Sequence, residues 1–283
     1  MRFGAGGIRF AAGPDHALSG SEREALSRLE PDPGDPQQPF EIELVDAPPW
    51  TSDDPALFPQ WEPAVQRWVG DRLLASHKSF TAEIEPFAAR ARLFRREERA
   101  YPLETVIRTS MMARLPLVGG LPLHAAGVVL AGRGVAFFGA SGAGKTTLAA
   151  TSPVPVLSDE LVAIGPGRPF SLARSGFWGE GRPVAGAASA PLGLLVDLAK
   201  GPALHLERLA PAVAAGRLLA SVPVPHAPSL WRRVLAVAAE LVSHVAVVRM
   251  EWSPRDPPWP ALLRLLDEAE PGSFTRPRDL PSE

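Results

Sequence analysis

The period of the apolar positions changes near residue 100. Before it, short alternating runs predict strands: "GIRFAA" (7–12), "FEIELVD" (40–46), "SFTAEIEP" (79–86) and "ARLFR" (91–95). A proline-rich stretch, Glu30 to Pro39, predicts a loop, and the tryptophan-bearing segment after it carries helical spacing from Trp61 to Ser76. Residues 1–100 are therefore expected to form a small α+β lobe. Trp50, Trp61 and Trp68 are read as packing residues before they are read as a binding face.

From "LETVIRTSMMARL" onward, strands and helices alternate. A helix over about 102–115 leads into the strand "LHAAGVVL", a turn "AGRG" and a second apolar strand, which runs into "FFGASGAGKTTLA" (137–149) and a short helix from Gly144. An apolar strand Val154 to Leu157 then delivers Ser158, Asp159 and Glu160. "APLGLLVDLAKG" reads as a strand, Leu209–Ala220 and Ser229–Val242 as amphipathic helices, "HVAVVRMEW" as a strand and "WPALLRLLDEAE" as a closing helix. This alternation predicts an α/β nucleotide-binding domain over residues 101–270, with 271–283 as a flexible tail. No internal repeat is present.

Composition narrows the chemistry. The 283 residues suffice for one large core, or for a core and a smaller lobe. A net charge of -2 gives no global basic field, so nucleic acid is not an expected partner. No apolar run is long enough to predict a membrane span or a signal peptide, and the absence of cysteine excludes disulfides, thiolate catalysis and cysteine zinc sites. A cytoplasmic location is the expectation. Of 29 basic residues only Lys78, Lys145 and Lys200 are lysines, which makes the lysine in the glycine-rich stretch conspicuous.

Gly139-Ala140-Ser141-Gly142-Ala143-Gly144-Lys145-Thr146 fits G-x-x-x-x-G-K-[ST] without a mismatch, after a buried strand and at the start of a helix. Glycines let the backbone curl so that successive N–H groups face one anion. Lys145 is expected at the β- and γ-phosphates, the Thr146 hydroxyl on Mg2+, and Thr147 beside them. Fourteen residues beyond Lys145, Asp159 ends the next strand. Two jobs are open to it: holding Mg2+, or accepting a proton from a substrate hydroxyl in line with the γ-phosphate. Glu160 is a candidate metal contact, and Asp197, at the end of "LLVD", is a rival acid. No LSGGQ-like helix start, guanine-reading NKxD or nucleophile elbow accompanies the loop, so an ABC-type ATPase, a GTPase and a hydrolase triad find no support.

The run "LHAAGVVLAGRGVAFFGASGAGKTTLA...VPVLSDELVAI" resembles the HPr serine kinase/phosphorylase family and its kinase-like relatives, whose core is shared with phosphoenolpyruvate carboxykinases. His124 precedes Gly139 by 15 residues, "GASGAGKT" is similar to the family's G-x-SG-x-GKS, and "LSDE" to its V-A-DD. The resemblance covers residues 101–165. It implies ATP and Mg2+ as cofactors, Asp159 as the base that activates a serine hydroxyl, and His124 near the transferred phosphoryl. "SGFWGEGRP" resembles a loop of smaller relatives that accompany the biosynthesis of lasso peptides and other ribosomal peptides, implying Glu180 as a second Mg2+ or substrate contact and Arg182 near the phosphates. Glu160 stands where the family has Asp, and the N-terminal lobe is unlike theirs. What is implied is therefore a kinase-like core; the resemblance does not extend to phosphorylase activity or recognition of HPr.

The expected reaction is transfer of the γ-phosphoryl to a hydroxyl, foremost a serine of a small protein or peptide. The alternatives are a small-molecule or carboxykinase-like phosphotransferase, or a non-catalytic ATP-binding scaffold in a biosynthetic assembly. A homo-oligomer is compatible with the sequence. Five arginines in "ARARLFRREERA" (89–100) read as a solvated strand and turn before they read as an anion guide, and His16, His77, His205, His226 and His244 share no metal-ligand spacing.

Overall fold

The computed structural model describes residues 1–14, 17–29, 39–45, 65–77, 79–95, 100–180 and 188–268. Trp50, Trp61, Arg182, His16, most of the proline-rich loop and the tail 271–283 lie outside the described residues. The architecture is mixed α/β, with helices packed on two sheets.

The first sheet has seven strands in the order β1-β2-β3-β7-β6-β5-β4. They are β1 Arg2–Ala5, β2 Ile8–Gly13, β3 Phe40–Val45, β4 Val65–Val69, β5 Arg72–His77, β6 Phe80–Glu85 and β7 Arg90–Arg95. β2, β3 and β7 run parallel, and the other neighbours are antiparallel. The helix expected over 61–76 is a hairpin instead. Gly70 takes φ 61° between β4 and β5, a turn no helix can contain, and the Gly-Asp pair at 70–71 supplies the two-residue connection. Apolar residues at Val65, Val69 and Leu73 imitate a helical stripe only because they fall on both sides of that turn.

Helix α1 (Gly20–Ser27) opens on a capping box: the Ser19 hydroxyl accepts from the Glu22 N–H, while the Glu22 carboxylate accepts from the Ser19 N–H. The other Glu22 oxygen meets Arg95 of β7, and both side chains are withdrawn from solvent, at 0% and 3% exposure. Arg95 also donates to the Ala17 carbonyl. Helix α2 (Ala100–Arg114) lays Leu103, Val106, Ile107 and Met111 into the core of the first sheet, which also takes in Leu161, Ala163 and Ala173 from the second.

The second sheet is built around the hairpin of β8 (Leu121–Leu130) and β9 (Arg133–Phe138), joined by Ala131 and Gly132, both left-handed. That two-residue, primed-type geometry matches the right-handed strand twist. β10 (Val156–Ser158) lies on the far edge of β8. The long β13 (Ser189–Lys200) pairs in parallel with β9 and with β15 (Ala246–Trp252), and β14 (His205–Arg208) closes the edge. β11 (Leu161–Gly165) and β12 (Ser171–Arg174) link the N-terminal half of β8 to that of β13, closing a circuit β8-β11-β12-β13-β9. The strand expected over Val154–Leu157 is β10, shifted to 156–158; Asp159 and Glu160 form the bend after it, and the chain continues along β8 as β11. β12 and β14, short and with little alternation, had no sequence signal.

Helices α4 (Pro211–Leu219) and α5 (Pro228–His244) cover one face of this sheet with Ala214, Leu218, Leu230, Val234 and Leu241. On the other face, α3 (Lys145–Ala150) and α6 (Trp259–Glu268) contribute Leu148, Leu262 and Leu266. β9 is enclosed by both layers and by a strand on either side.

The Glu22–Arg95 pair sets a stability test. Glu22→Gln leaves a buried guanidinium without its counter-charge, which costs about 3–5 kcal/mol. A urea titration followed by circular dichroism should show that loss, and Arg95→Met added to Glu22→Gln should recover most of it.

Candidate functional site

Strand β9 leaves the sheet at Gly139, whose φ of 144° no side chain favours. A Cβ there would stand 2.5 Å from the carbonyl oxygen of Leu198 on β13, so the loop begins with a glycine for two independent reasons. Gly142 and Gly144 are also left-handed, and Gly144 caps α3 against the ring of Trp252. The Lys145 ammonium folds back into the loop, donating to the carbonyls of Gly139 (2.9 Å) and Ala140 (3.2 Å). Burial pushes its pKa down from the ordinary lysine value. With only six residues in α3, the helix dipole is small, and the positive charge of this loop is mainly that of Lys145.

Two cavities flank the loop. One, of about 600 Å3, is lined by Thr146, the 149–156 segment, Asp159, Trp178 and Glu180. The other, of about 380 Å3, is lined by Gly139, Ala140, Ser141, His124, Asp197, Arg217 and residues 220–223. Asp159 and His124 line different cavities, although His124 pairs across the sheet with Leu161, two residues beyond Asp159. Ala143 is buried beneath it, and Thr147 lies on the exposed side of α3.

Asp159 is buried, and its carboxylate is held by the segment 175–180. One oxygen accepts from the Gly179 N–H (2.9 Å), the other from the Glu180 N–H (3.0 Å). Two serines fasten that segment to the bend. Ser158 donates to the Phe177 carbonyl and accepts from the N–H groups of Glu160 and Leu161, while Ser175 donates to the Leu161 carbonyl. Glu160 turns away to pair with Arg108 of α2, whose guanidinium also lies 5.4 Å from the centre of the Phe177 ring.

The rival acid, Asp197, ends its run of parallel pairing beside Phe138, with Arg217 (2.8 Å) and Arg249 (3.3 Å) on the same carboxylate oxygen. Two guanidiniums leave it no net negative field to offer a metal. Arg217 is half exposed and faces the His124 cavity, so it presents a fixed positive charge beside the loop. Nothing in the sequence singled out Arg217, because no spacing links α4 to a strand-end acid.

Among the described residues, no three His, Asp or Glu side chains form a ready cation cage. Thr146, Asp159 and Glu180 nonetheless share one cavity. That oxygen set suits Mg2+ arriving with a phosphate ligand, since Mg2+ keeps several waters and takes few protein groups. Glu160 does not line that cavity. Among the described residues, no helix is long and apolar enough to cross a membrane. No protein-family model matches the chain, and no curated protein matches it significantly.

His124 keeps its edge in solvent, yet its pKa is lowered, first by burial, then by the Lys145 charge, with Glu160 opposing. The native state thus holds fewer protons than the unfolded chain between that lowered pKa and the ordinary 6.5. Stability from this group is complete above 6.5 and is lost as the pH falls through the window. NMR titration should place the His124 midpoint below 6.5, and Lys145→Met should raise it. A midpoint unmoved by that substitution would separate the two residues electrostatically.

Proposed function

We propose that the protein is an Mg-ATP-dependent kinase of the HPr-kinase-like type, transferring the γ-phosphoryl to a hydroxyl, foremost a serine of a small protein or peptide. One observation carries the reading. A buried strand runs into a glycine loop with its lysine drawn inward, and a buried, oriented carboxylate shares a cavity with the threonine that follows that lysine.

In this reading the loop amides and Lys145 bind the triphosphate. The lysine exchanges the carbonyls of Gly139 and Ala140 for phosphate oxygens. Mg2+, when bound with the nucleotide, neutralises charge on the phosphates, with Thr146 and Glu180 as its protein contacts. Glu160, tied to Arg108, supports the site from outside it. Asp159 accepts the proton of the acceptor hydroxyl while that oxygen bonds to the γ-phosphorus. The bond from the γ-phosphorus to the bridging oxygen breaks, and ADP departs with the electron pair. Gly179 and Glu180 fix the carboxylate in one orientation, the kind of positioning from which phosphoryl transfer draws most of its rate. In the second cavity, His124 and the Asp197-held Arg217 are the groups available to charge developing on the phosphoryl oxygens.

The test is mass spectrometry on small peptides encoded beside this gene, incubated with Mg-ATP. A mass gain of one phosphate on serine is expected. Asp159→Asn should lower kcat by about 10²–10⁴ with nucleotide affinity retained, whereas Lys145→Ala should abolish nucleotide binding in calorimetry. If ATP binds, no acceptor gains phosphate and Asp159→Asn changes no rate, the protein is a nucleotide-binding scaffold and the kinase reading fails.

A further inference from the structure

A third cavity, of about 650 Å3, opens beside the candidate site, and its walls come from both sheets' units. Tyr101, Glu104 and Arg108 of α2 form one side, Phe177, Trp178 and Glu180 the other, with Arg28 of α1 at the rim. Trp178 and Glu180 also line the cavity of Thr146 and Asp159, so the groove leads directly to the carboxylate. Its shape is fixed. Gly176, at φ 85°, lets Leu29 approach to where a Cβ would lie 2.3 Å from its methyl, and Arg108 is clamped between Glu160 and the Phe177 ring.

The charges in this groove do not cancel. Arg28 is neutralised by Glu24 at 2.6 Å and Arg108 by Glu160. Glu104 and Glu180 have no cationic partner among the described residues, and they share the groove with three aromatic rings, Tyr101 on one side and Phe177 and Trp178 on the other. Unpaired carboxylates beside aromatic faces favour an ammonium or guanidinium, through both Coulomb attraction and cation–π contact. A carboxylate-rich segment would meet repulsion there. An amphipathic, extended segment a few residues long fits the volume and brings a neighbouring hydroxyl to Asp159.

We infer that the groove between α2 and the 176–180 segment is a docking site for a basic peptide segment, one with Lys or Arg next to the residue that enters the Asp159 cavity. That the docked segment is the phosphate acceptor rests on the kinase reading; the groove's preference for a basic peptide does not.

Short fluorescein-labelled peptides that share a central serine and differ only in flanking Lys, Ala or Glu provide the probe, with binding read by anisotropy on the nucleotide-free, full-length protein. The Lys-flanked peptide should bind about tenfold tighter than the Glu-flanked one. Its advantage should shrink at high salt and in Glu104→Gln, a substitution on the surface of α2 that preserves shape. Circular dichroism on that variant guards against misfolding. Equal affinities for the three peptides, tighter binding of the Glu-flanked one, or a Lys preference untouched by Glu104→Gln would overturn the inference. Lys-flanked peptides that bind with these signatures but gain no phosphate from Mg-ATP would leave the groove standing and remove the kinase reading. Phosphate transferred equally to all three, with equal affinities, would do the reverse.

Discussion

Everything at the candidate site depends on where strand β9 can leave the sheet. The strand is locked between β8 and β13 and covered on both faces, so its backbone has no freedom until the parallel pairing with β13 ends at Asp197. At the next residue the carbonyl of Leu198 stands where a Cβ would be. Only glycine passes, and the turn it makes directs the chain into a loop that encircles the Lys145 ammonium. Residues of that loop and of the helix it starts line both cavities.

The second constraint is a bend. Between β10 and β11 the chain bulges at Asp159 and Glu160 while both strands stay antiparallel to β8, and Ser158 and Ser175 tie the bend to the 175–180 segment through short polar bonds in a buried setting. Such groups are costly to leave unsatisfied, so the segment is held as firmly as the core requires. The two acids then part. Asp159 is kept inward by backbone N–H groups, while Glu160 is drawn outward by Arg108, which belongs to the helix covering the first sheet. The geometry around Asp159 is therefore shared between both parts of the chain.

Much of this was legible from residues alone. The glycine loop stood out because motif and context agreed, and strands of the second half with strong apolar runs, such as 189–200 and 246–252, fell close to where they were expected. The misreadings share a physical origin. In 61–76 a stripe of apolar residues spanned a Gly-Asp turn, and periodicity alone cannot tell a hairpin's two arms from one helix. The hydroxyls of Ser158 and Ser175 and the guanidinium of Arg217 act through contacts distant in sequence, and no local pattern encodes those. Trp178 drew notice only through a family resemblance, yet it lines two cavities.

The two strand-end acids near the loop show how one sheet edge can give identical side chains opposite uses. Asp197 is compensated by two full positive charges, and its effect on an incoming phosphate is to fix Arg217 at the loop rather than to repel the anion. Asp159 instead accepts from two peptide N–H groups, Gly179 and Glu180, which fix the orientation of its carboxylate and tie it to the 175–180 segment rather than to a guanidinium of α4 or β15.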